Sequence, residues 1–289
     1  MDWLDRMNRA MDYIEEHLRE RIDYPKIARA AACSAFHFQR MFPFIAGVSL
    51  YEYIRRRRLT MAAFELQTAD ARIIDVALKY GYESPEAFSR AFKGLHGIMP
   101  AAVRDKGSTL KAFPKMSFFI SIKGDTEMNY RIEEKDGFAL FGAVGDIDAN
   151  QPFTAIPEFW SRCILDGTVD RIRAAAGIGE GGQLHAALHH WRPGVFAYLI
   201  GSYLPESGMP NGYEKLEIPK HTWAIFSTGL YPDGTGMPLV HDIWKRIFPE
   251  WFPTSGYEHA DGPELEMTYD RGNGLYEMEV WIPVIRKQG

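Results

Sequence analysis

Residues 75–97, DVALKYGYESPEAFSRAFKGLHG, decide the fold of the first part of the chain. Asp75-Val76-Ala77-Leu78 is typical of a short helix, and Gly81-Tyr82-Glu83 is typical of a tight turn. Ser84 stands where its side chain can cap a second helix, and Pro85 suits the first position of that helix. The segment therefore predicts two short helices joined by a tight turn, which is the helix-turn-helix unit.

The same pattern occurs earlier, in residues 26–47, KIARAAACSAFHFQRMFPFIAG. Ser34 occupies the capping position there, and Phe38 and Phe42 repeat the i,i+4 spacing of Phe88 and Phe92. Side chains at this spacing share one face of a helix, so both pairs are predicted to face the core. One such unit is a weak signal, whereas two units joined by a long apolar-striped helix predict a duplicated, all-helical domain.

Length and composition bound the architecture. The chain has 289 residues, of which 46% are hydrophobic and 25% charged, which is typical of a globular protein. Since a domain usually has about 100–200 residues, this length predicts two domains. No run reaches the ~18 apolar residues of a membrane span, and the first residues lack a signal-peptide layout. Two cysteines, Cys33 and Cys163, are too few for a disulfide framework. These features predict a cytoplasmic protein without a membrane partner.

The charge is divided unevenly along the chain. Residues 1–107 hold 17 Lys and Arg against 14 Asp and Glu, whereas residues 108–289 hold 16 against 24. A polyanion would prefer the first part, and the acidic second part suits cations. The excess of three positive charges is too small to demonstrate nucleic-acid binding.

Beyond about Ser117 the pattern changes to short apolar runs separated by Gly, Pro, Asn and Asp, which is typical of strands and turns. This part also contains a duplication. Residues 138–142, 156–162 and 196–200 are echoed in order by 223–227, 240–246 and 277–283. Each copy predicts a strand, a helix and a pair of strands. Two copies predict an α+β domain, an antiparallel sheet with helices on one face.

Residues 1–107 resemble the DNA-binding domain of AraC-type transcription regulators. The resemblance spans this whole part of the chain and rests on Ile27-Ala28, Phe38-Gln39-Arg40-Met41-Phe42, Tyr53–Leu59, Asp75-Val76-Ala77, Gly81-Tyr82, Phe88–Lys93 and Gly97–Pro100. It implies a double helix-turn-helix domain over residues 1–107 that binds operator DNA.

Residues 127–289 resemble the gyrase-inhibitor-like (GyrI-like) effector-binding domain that is attached to some AraC-type and MerR-type regulators. The motifs are short: Glu217-Ile218-Pro219, Trp223–Phe226, Pro263–Glu266 and Glu279–Pro283. The resemblance implies a small-molecule effector and a single buried glutamate at the centre of its pocket. Glu266 matches that position best and Glu279 second. Residues 108–126, polar and carrying Pro114, are the predicted linker.

Recognition helices read base edges, while Lys and Arg hold phosphates. We expect base or thymine-methyl contacts from one side-chain set in each unit: Phe36, Gln39 and Arg40 in the first, and Glu86, Ala87, Ser89 and Arg90 in the second. Two such helices about 34 Å apart would enter adjacent major grooves. Arg55, in the run Arg55–Arg58, is a candidate phosphate contact. The alternatives are that Gln39, Arg40 and the arginine run form a solvated face and that Phe36 is buried.

Carboxylates and aromatic rings define the candidate effector site. Because successive residues of a strand face opposite sides, Glu264 and Glu266 share one face, as do Glu277, Glu279 and Trp281. Carboxylates beside tryptophans form the type of pocket that binds lipophilic cations. The predicted ligand-binding residues are Glu266, Glu279, Trp223, Trp281, Tyr198 and Tyr231. The alternatives are core packing for each aromatic residue and a solvent-facing sheet surface for each glutamate.

No cofactor, metal or catalytic nucleophile is predicted. His185 and His189 have i,i+4 spacing but read as part of a strand and lack a carboxylate partner. The loop Gly177–Gly182 lacks the Lys-Ser/Thr of a phosphate cradle.

These observations predict a transcription regulator whose DNA affinity, or contact with RNA polymerase, depends on a small molecule bound in the second domain. Two other functions remain open. In one, the second domain is a hydrolase that uses Glu266 with Tyr269 or Tyr231. In the other, it is a module that binds a protein such as gyrase rather than a small molecule. The regulator itself is not expected to be an enzyme.

Overall fold

A computed structural model describes residues 3–31, 33, 35–68, 70–105, 107–119, 127–149, 151–179, 181–192 and 194–287, without the side chains of Trp3, Ala35, Phe36, His37 and Arg40. The chain forms two compact units, one of residues 1–42 and 48–119 and the other of residues 43–47 and 120–289. No helix in the described ranges is long and apolar enough to cross a bilayer.

The first unit is helical, as predicted. Its helices are α1 (Trp3–Glu16), α2 (Tyr24–Ala30), α3 (Ala35–Ala46), α4 (Leu50–Thr68), α5 (Ile73–Lys79) and α6 (Pro85–His96), followed by a 3-10 turn (Pro100–Arg104). The helices α2 and α3 form one helix-turn-helix unit, α5 and α6 form the other, and α4 lies between them in the chain. The predicted double helix-turn-helix domain is therefore confirmed.

The local signals in the second helix-turn-helix motif, α5 and α6, act as the sequence predicts. The Ser84 hydroxyl accepts a hydrogen bond from the Ala87 backbone N–H at 3.1 Å, which caps α6, and Gly97 ends the helix in the left-handed region with φ of 82°. The rings of Phe88 and Phe92 are fully buried with centroids 5.4 Å apart. In the first helix-turn-helix motif, Phe38 and Phe42 are also buried, while Ser34 lies outside the described residues.

Residues 108–119 of the predicted linker run along the helical unit. The Phe113 backbone N–H donates to the Thr60 hydroxyl at 3.2 Å, and its carbonyl accepts from Arg57. The Asn8 side chain donates to the Phe118 carbonyl at 2.8 Å and accepts from its N–H at 2.7 Å. Residues 120–126 lie outside the described ranges. The domain boundaries 1–107, 108–126 and 127–289 stay a prediction.

The second unit is an antiparallel sheet with helices, as predicted. Its described strands are β1 (Tyr130–Lys135), β2 (Phe138–Asp148), β3 (His185–Arg192), β4 (Val195–Tyr203), β5 (Glu214–Ile218), β6 (His221–Pro232), β7 (Tyr257–His259), β8 (Glu264–Gly272) and β9 (Leu275–Arg286). Its helices are α7 (Pro152–Leu165), α8 (Thr168–Ala176), α9 (Gly236–Arg246), a π-helical segment (Ile247–Trp251) and α10 (Phe252–Thr254).

The sheet order is β1-β6-β9-β8-β3-β4-β2-β5, with β7 paired to β9. The duplication predicted from sequence is visible in this order, since β2, α7, β3 and β4 correspond to β6, α9, β8 and β9. The two copies meet at the centre, where Ala187 of β3 is paired with Leu265 of β8. The structure adds β1, β5 and β7 and further helical segments to the predicted strand-helix-strand-strand copies.

Candidate functional site

The strand register assigns the predicted ligand residues to two different faces of the sheet. Glu266 is paired with Ala186 and Val280, whereas its neighbour Leu265 is paired with Trp281. Because adjacent residues of a strand point to opposite faces, Glu266 and Trp281 lie on opposite faces. Side chains of α7 and α9 contact the Glu266 face, which we call the helix face.

On the helix face, the Glu266 carboxylate is held by two neutral donors. The Tyr198 hydroxyl of β4 donates to Oε2 at 2.8 Å, and the Trp244 indole N–H of α9 donates to Oε1 at 2.7 Å. The Trp160 indole N–H of α7 donates to the Tyr198 hydroxyl at 3.1 Å. The two helices and two strands thus place one carboxylate, one phenol and two indoles in a single hydrogen-bonded chain.

The electrostatic state of Glu266 follows from its surroundings. Desolvation by burial raises the pKa of its carboxyl group, and the hydrogen bonds from Tyr198 and Trp244 partly oppose that rise. Burial, followed by the charge of Glu266, likewise raises the pKa of Tyr198. Within the described ranges, no Lys, Arg or His forms a salt bridge with Glu266, although the side chain keeps some accessible surface. When ionised, this carboxylate is balanced, as far as the described residues go, by neutral hydrogen-bond donors alone.

Glu279, the second predicted glutamate, lies in a different environment. It is paired with Met267 in the register and therefore shares the face of Trp281, opposite Glu266. Its carboxylate accepts from the Arg131 guanidinium at 2.7 and 3.2 Å and from the Trp281 indole at 2.8 Å. The buried charge of Glu279 is therefore compensated by a cation of the chain itself.

Two of the other predicted ligand residues, Trp223 and Trp281, lie on the face of the sheet opposite Glu266. Trp223 and Trp281 pack together in the core of the opposite face, with ring centroids 5.7 Å apart. Tyr231 packs against Gly236 at the start of α9, and no hydrogen bond joins it to Glu266. A single pocket containing all six predicted residues is not formed, because the alternation along each strand sends half of them to the other face.

Two members of the site, Trp160 and Trp244, are absent from the predicted set. They occupy equivalent positions in the duplicated helices, within Phe159-Trp160-Ser161-Arg162 and Ile243-Trp244-Lys245-Arg246. Their identical placement in both copies is a sequence signal that could have identified them. Glu264, on the same face as Glu266, is fully buried and lies 2.9 Å from His259 Nε2, so it is not a free carboxylate.

In the helical unit, α6 presents the side chains expected to read bases. Glu86 and Arg90 are exposed, and Ala87 and Ser89 are half-buried. Lys93, one turn further along, is also exposed. On α3, Gln39 is half-buried, while the side chains of Phe36 and Arg40 lie outside the described part of the chain. The base contacts assigned from sequence to these residues stay predictions.

The run Arg55–Arg58 is occupied by partners within the domain. Arg55 and Arg56 both bind the Glu52 carboxylate, at 2.7 and 2.6 Å. Arg57 is buried and forms a salt bridge with Glu15 at 2.6 Å, while Arg58 donates to the backbone carbonyls of Leu18 and Glu20. Arg55 can contact a phosphate only in competition with Glu52, which weakens the expectation placed on it.

Two family models match the chain. A helix-turn-helix domain model matches residues 27–106, and an integron-associated effector binding protein model matches residues 131–284, more than half of the chain. The HTH-type transcriptional activator AarP of Providencia stuartii is 44% identical over 92 residues, which are 32% of this chain and 68% of AarP. The chain belongs to the AraC-type transcription regulators with a GyrI-like effector-binding domain.

Other similarities are partial. An uncharacterized HTH-type transcriptional regulator of Bacillus subtilis, YbfP, is 44% identical over 137 residues, which are 47% of this AraC-type chain but 42% of YbfP. The chain thus spans less than half the length of that relative. A solved structure of SAV2435 bound to tetraphenylphosphonium shares 17% identity with a TM-score of 0.44, covering 55% of this chain and 94% of SAV2435.

The histidines of β3 have no group of neighbouring metal ligands among the described residues. Burial lowers the pKa of His185 and of His189 to about 4 in each case, so both are neutral at physiological pH. Across the described ranges, no three His, Cys, Asp or Glu side chains are grouped to hold a metal ion. The His185 Nδ1 atom instead accepts from the Thr268 backbone N–H at 3.3 Å.

Proposed function

We propose that this protein regulates transcription from DNA sites bound by its double helix-turn-helix domain, and that a small lipophilic cation bound at Glu266 modulates this activity. The observation that carries the proposal is the Glu266 carboxylate, which is desolvated and hydrogen-bonded to Tyr198 and Trp244 without a cationic partner among the described side chains.

A lipophilic cation fits this chemistry better than a neutral or anionic molecule. It would supply the missing positive charge, and the rings of Trp244, Trp160 and Tyr198 would offer their negative faces to it. An anion would be repelled by the ionised carboxylate of Glu266. A highly hydrated cation would lose more hydration energy in an aromatic site than a lipophilic one.

The DNA side of the proposal rests mainly on α6. Its exposed face carries Glu86, Arg90 and Lys93, while Phe88 and Phe92 fix the helix from behind. Arg pairs with guanine and Glu accepts from cytosine in the major groove, so this face has side chains that can discriminate bases.

We expect Arg90→Ala to weaken binding to a selected duplex by about 1–3 kcal/mol and to relax base preference at one position, because a base-reading guanidinium is removed. The duplex is obtained by selecting from a random pool with the wild-type protein, and affinity is measured by fluorescence anisotropy. Lys93→Ala removes a neighbouring cation from the same face and is the comparison variant, which should weaken binding to selected and scrambled duplexes alike. Equal losses for Arg90→Ala on selected and scrambled duplexes would contradict base readout.

Modulation by the ligand requires thermodynamic coupling between the two sites. If the cation changes DNA affinity by a given factor, DNA must change cation affinity by the same factor. Calorimetric titration of the cation into protein with and without duplex measures that factor directly, and a change in RNA polymerase contact alone would leave it at one.

Cation affinity should increase as the pH rises. Because burial raises the pKa of Glu266, its carboxyl group is neutral below that raised pKa and negatively charged above it. The quenching of tryptophan fluorescence by tetraphenylphosphonium is measured from about pH 5 to about pH 9, a span that includes the pKa values of known buried glutamates. Glu266→Gln should flatten this dependence. A wild-type profile that is already flat would count against binding to the ionised carboxylate.

The contact between Tyr198 and Glu266 also favours a second candidate, hydrolysis of an electrophilic small molecule. In that reaction Glu266 accepts a proton from water, and the water oxygen bonds to the electrophilic carbon as the bond from that carbon to the leaving group breaks. Tyr198 donates its proton to the leaving group, and the proton held by Glu266 then passes to the Tyr198 oxygen along their hydrogen bond. Product formation that is lost in both Glu266→Gln and Tyr198→Phe would support it. The phenol that is hydrogen-bonded to Glu266 is that of Tyr198, rather than the Tyr269 or Tyr231 named from sequence as alternative partners.

A further inference from the structure

A cleft of about 950 Å³ opens in the helical unit between its two helix-turn-helix motifs. Its lining comes from the end of the α1–α2 connection, the start of α2, the first half of α4 and the turn between α5 and α6. The side chains relevant here are Tyr24, Tyr51, Tyr82, Arg21, Arg55 and Arg58. We call it the Tyr–Arg cleft.

The cleft has an excess of hydrogen-bond donors. None of the phenol hydroxyls of Tyr24, Tyr51 and Tyr82 forms a hydrogen bond with another group in the described ranges. The Arg58 guanidinium is fixed by the carbonyls of Leu18, at 2.8 Å, and Glu20, at 2.6 Å, and its Nη1 edge lies against Gly81. The unused donors can be satisfied only by a ligand or by water.

The charge of the lining is positive. Arg19, Arg21, Arg55 and Arg58 contribute to it, against the two glutamates Glu20 and Glu83. Arg55 is already bound to Glu52, whereas Arg21 is exposed and forms no salt bridge with any side chain in the described ranges. Three phenols and an available guanidinium suit a tetrahedral oxyanion, because phosphate oxygens accept from both donor types.

The position of the cleft favours the DNA backbone as the source of this oxyanion. Ala87, in the first turn of α6, lines the cleft, and the exposed face of the same helix carries Arg90. In helix-turn-helix complexes the start of the recognition helix enters the major groove while neighbouring elements cross the backbone. The positive end of the helix dipole also lies at this point.

We propose that the Tyr–Arg cleft binds phosphate groups of the DNA backbone beside the groove that α6 enters. The proposal rests on the proposed function, since it names the part of the DNA that this cleft contacts. It assigns the role of phosphate binding to Tyr24, Tyr51, Tyr82 and Arg21.

The test uses the full chain and a random-sequence duplex, because phosphate contacts do not require an operator. Replacing Tyr24, Tyr51 and Tyr82 together by Phe removes only three hydroxyls, and we expect duplex affinity to fall by about tenfold. Arg21→Gln should lower the slope of log affinity against log salt concentration by about one. Anisotropy measured over a salt series reports both quantities.

Two control variants remove the same kinds of group outside the cleft. Tyr13→Phe removes a phenol hydroxyl in the helical unit, and Arg171→Gln removes a guanidinium in the other unit. Neither should change the duplex affinity or the salt slope. Circular dichroism establishes that every variant is folded. If the wild type binds the duplex and the cleft variants bind equally well with the same salt slope, the cleft proposal is overturned while the proposed function stands. If the wild type itself binds no duplex at low salt, both are overturned.

A free phosphorylated molecule is distinguished by a separate measurement. Thermal unfolding is followed in sodium pyrophosphate and in sodium chloride of equal ionic strength. If the DNA backbone is the source of the oxyanion, pyrophosphate adds little stability. In that case the triple Phe variant binds the duplex more weakly and Arg21→Gln lowers the salt slope. If pyrophosphate stabilises the wild type but not the triple Phe variant, and duplex affinity is unchanged, the DNA backbone is overturned as the source.

Discussion

Glu266→Gln is expected to weaken the binding of tetraphenylphosphonium by at least about thirtyfold at alkaline pH. Removing one partner of a desolvated charge pair typically costs about 2–5 kcal/mol, and thirtyfold corresponds to the lower limit. Gln has nearly the shape of Glu, its amide oxygen can accept from Trp244, and its amide nitrogen can donate to the Tyr198 oxygen. The expected loss is therefore a loss of charge rather than of packing.

The measurement is isothermal titration of wild type and variant with two ligands of similar shape. Triphenylphosphine oxide keeps three phenyl groups around phosphorus but carries no net charge, and its affinity should change little. Glu279→Gln is the matched protein control, because the charge of Glu279 is compensated by Arg131 and lies on the other face of the sheet. Equal losses for the charged and the uncharged ligand would show that Glu266 supports the shape of the pocket and not its charge selectivity.

Gly201→Ala is expected to lower the free energy of unfolding of the second unit by about 3 kcal/mol or more. Gly201 of β4 is paired with Gly142 of β2, and the strands approach so closely that an added Cβ at Gly201 would lie 2.0 Å from the Phe141 carbonyl oxygen. An added Cβ at Gly142 would lie 2.1 Å from the Ile200 carbonyl oxygen. Only backbone movement can relieve such contacts, and it would displace the strand that carries Tyr198.

Denaturant unfolding followed by tryptophan fluorescence measures this effect, because six of the seven tryptophans lie after residue 127. Gly256→Ala is the control, since an added Cβ there meets no atom within 4 Å and its backbone is not in the left-handed region. A Gly201→Ala variant as stable as the wild type would mean that the close approach of β2 and β4 is not required by the fold.

Much of the fold was predictable because its signals are local. The cap at Ser84 and the i,i+4 phenylalanines act within one or two helical turns, and a duplicated pattern reduces the number of plausible arrangements. The same holds for the second unit, whose repeated strand-helix-strand-strand pattern predicts the sheet. The position of Glu266 in the site followed from resemblance to the GyrI-like domains rather than from any local signal.

The partners of the candidate site were less predictable because they depend on contacts between distant segments. Tyr198 is 68 residues from Glu266 in sequence, and Trp160 is 38 residues from Tyr198. Period-2 alternation correctly separated Glu266 from its immediate neighbours. It could not relate Glu266 to Glu279 or Trp281, because the relative faces of two strands depend on their register.

By itself, the sequence determined the helix-turn-helix duplication, the α+β character of the second unit and the family to which the chain belongs. Only the tertiary structure decided that Glu266 meets Tyr198 and Trp244 with no cation among the described side chains, whereas Glu279 is neutralised by Arg131. The physical reason is that secondary structure follows from interactions between near neighbours in the chain. The charge state and accessibility of a carboxylate depend on every group that folding brings around it.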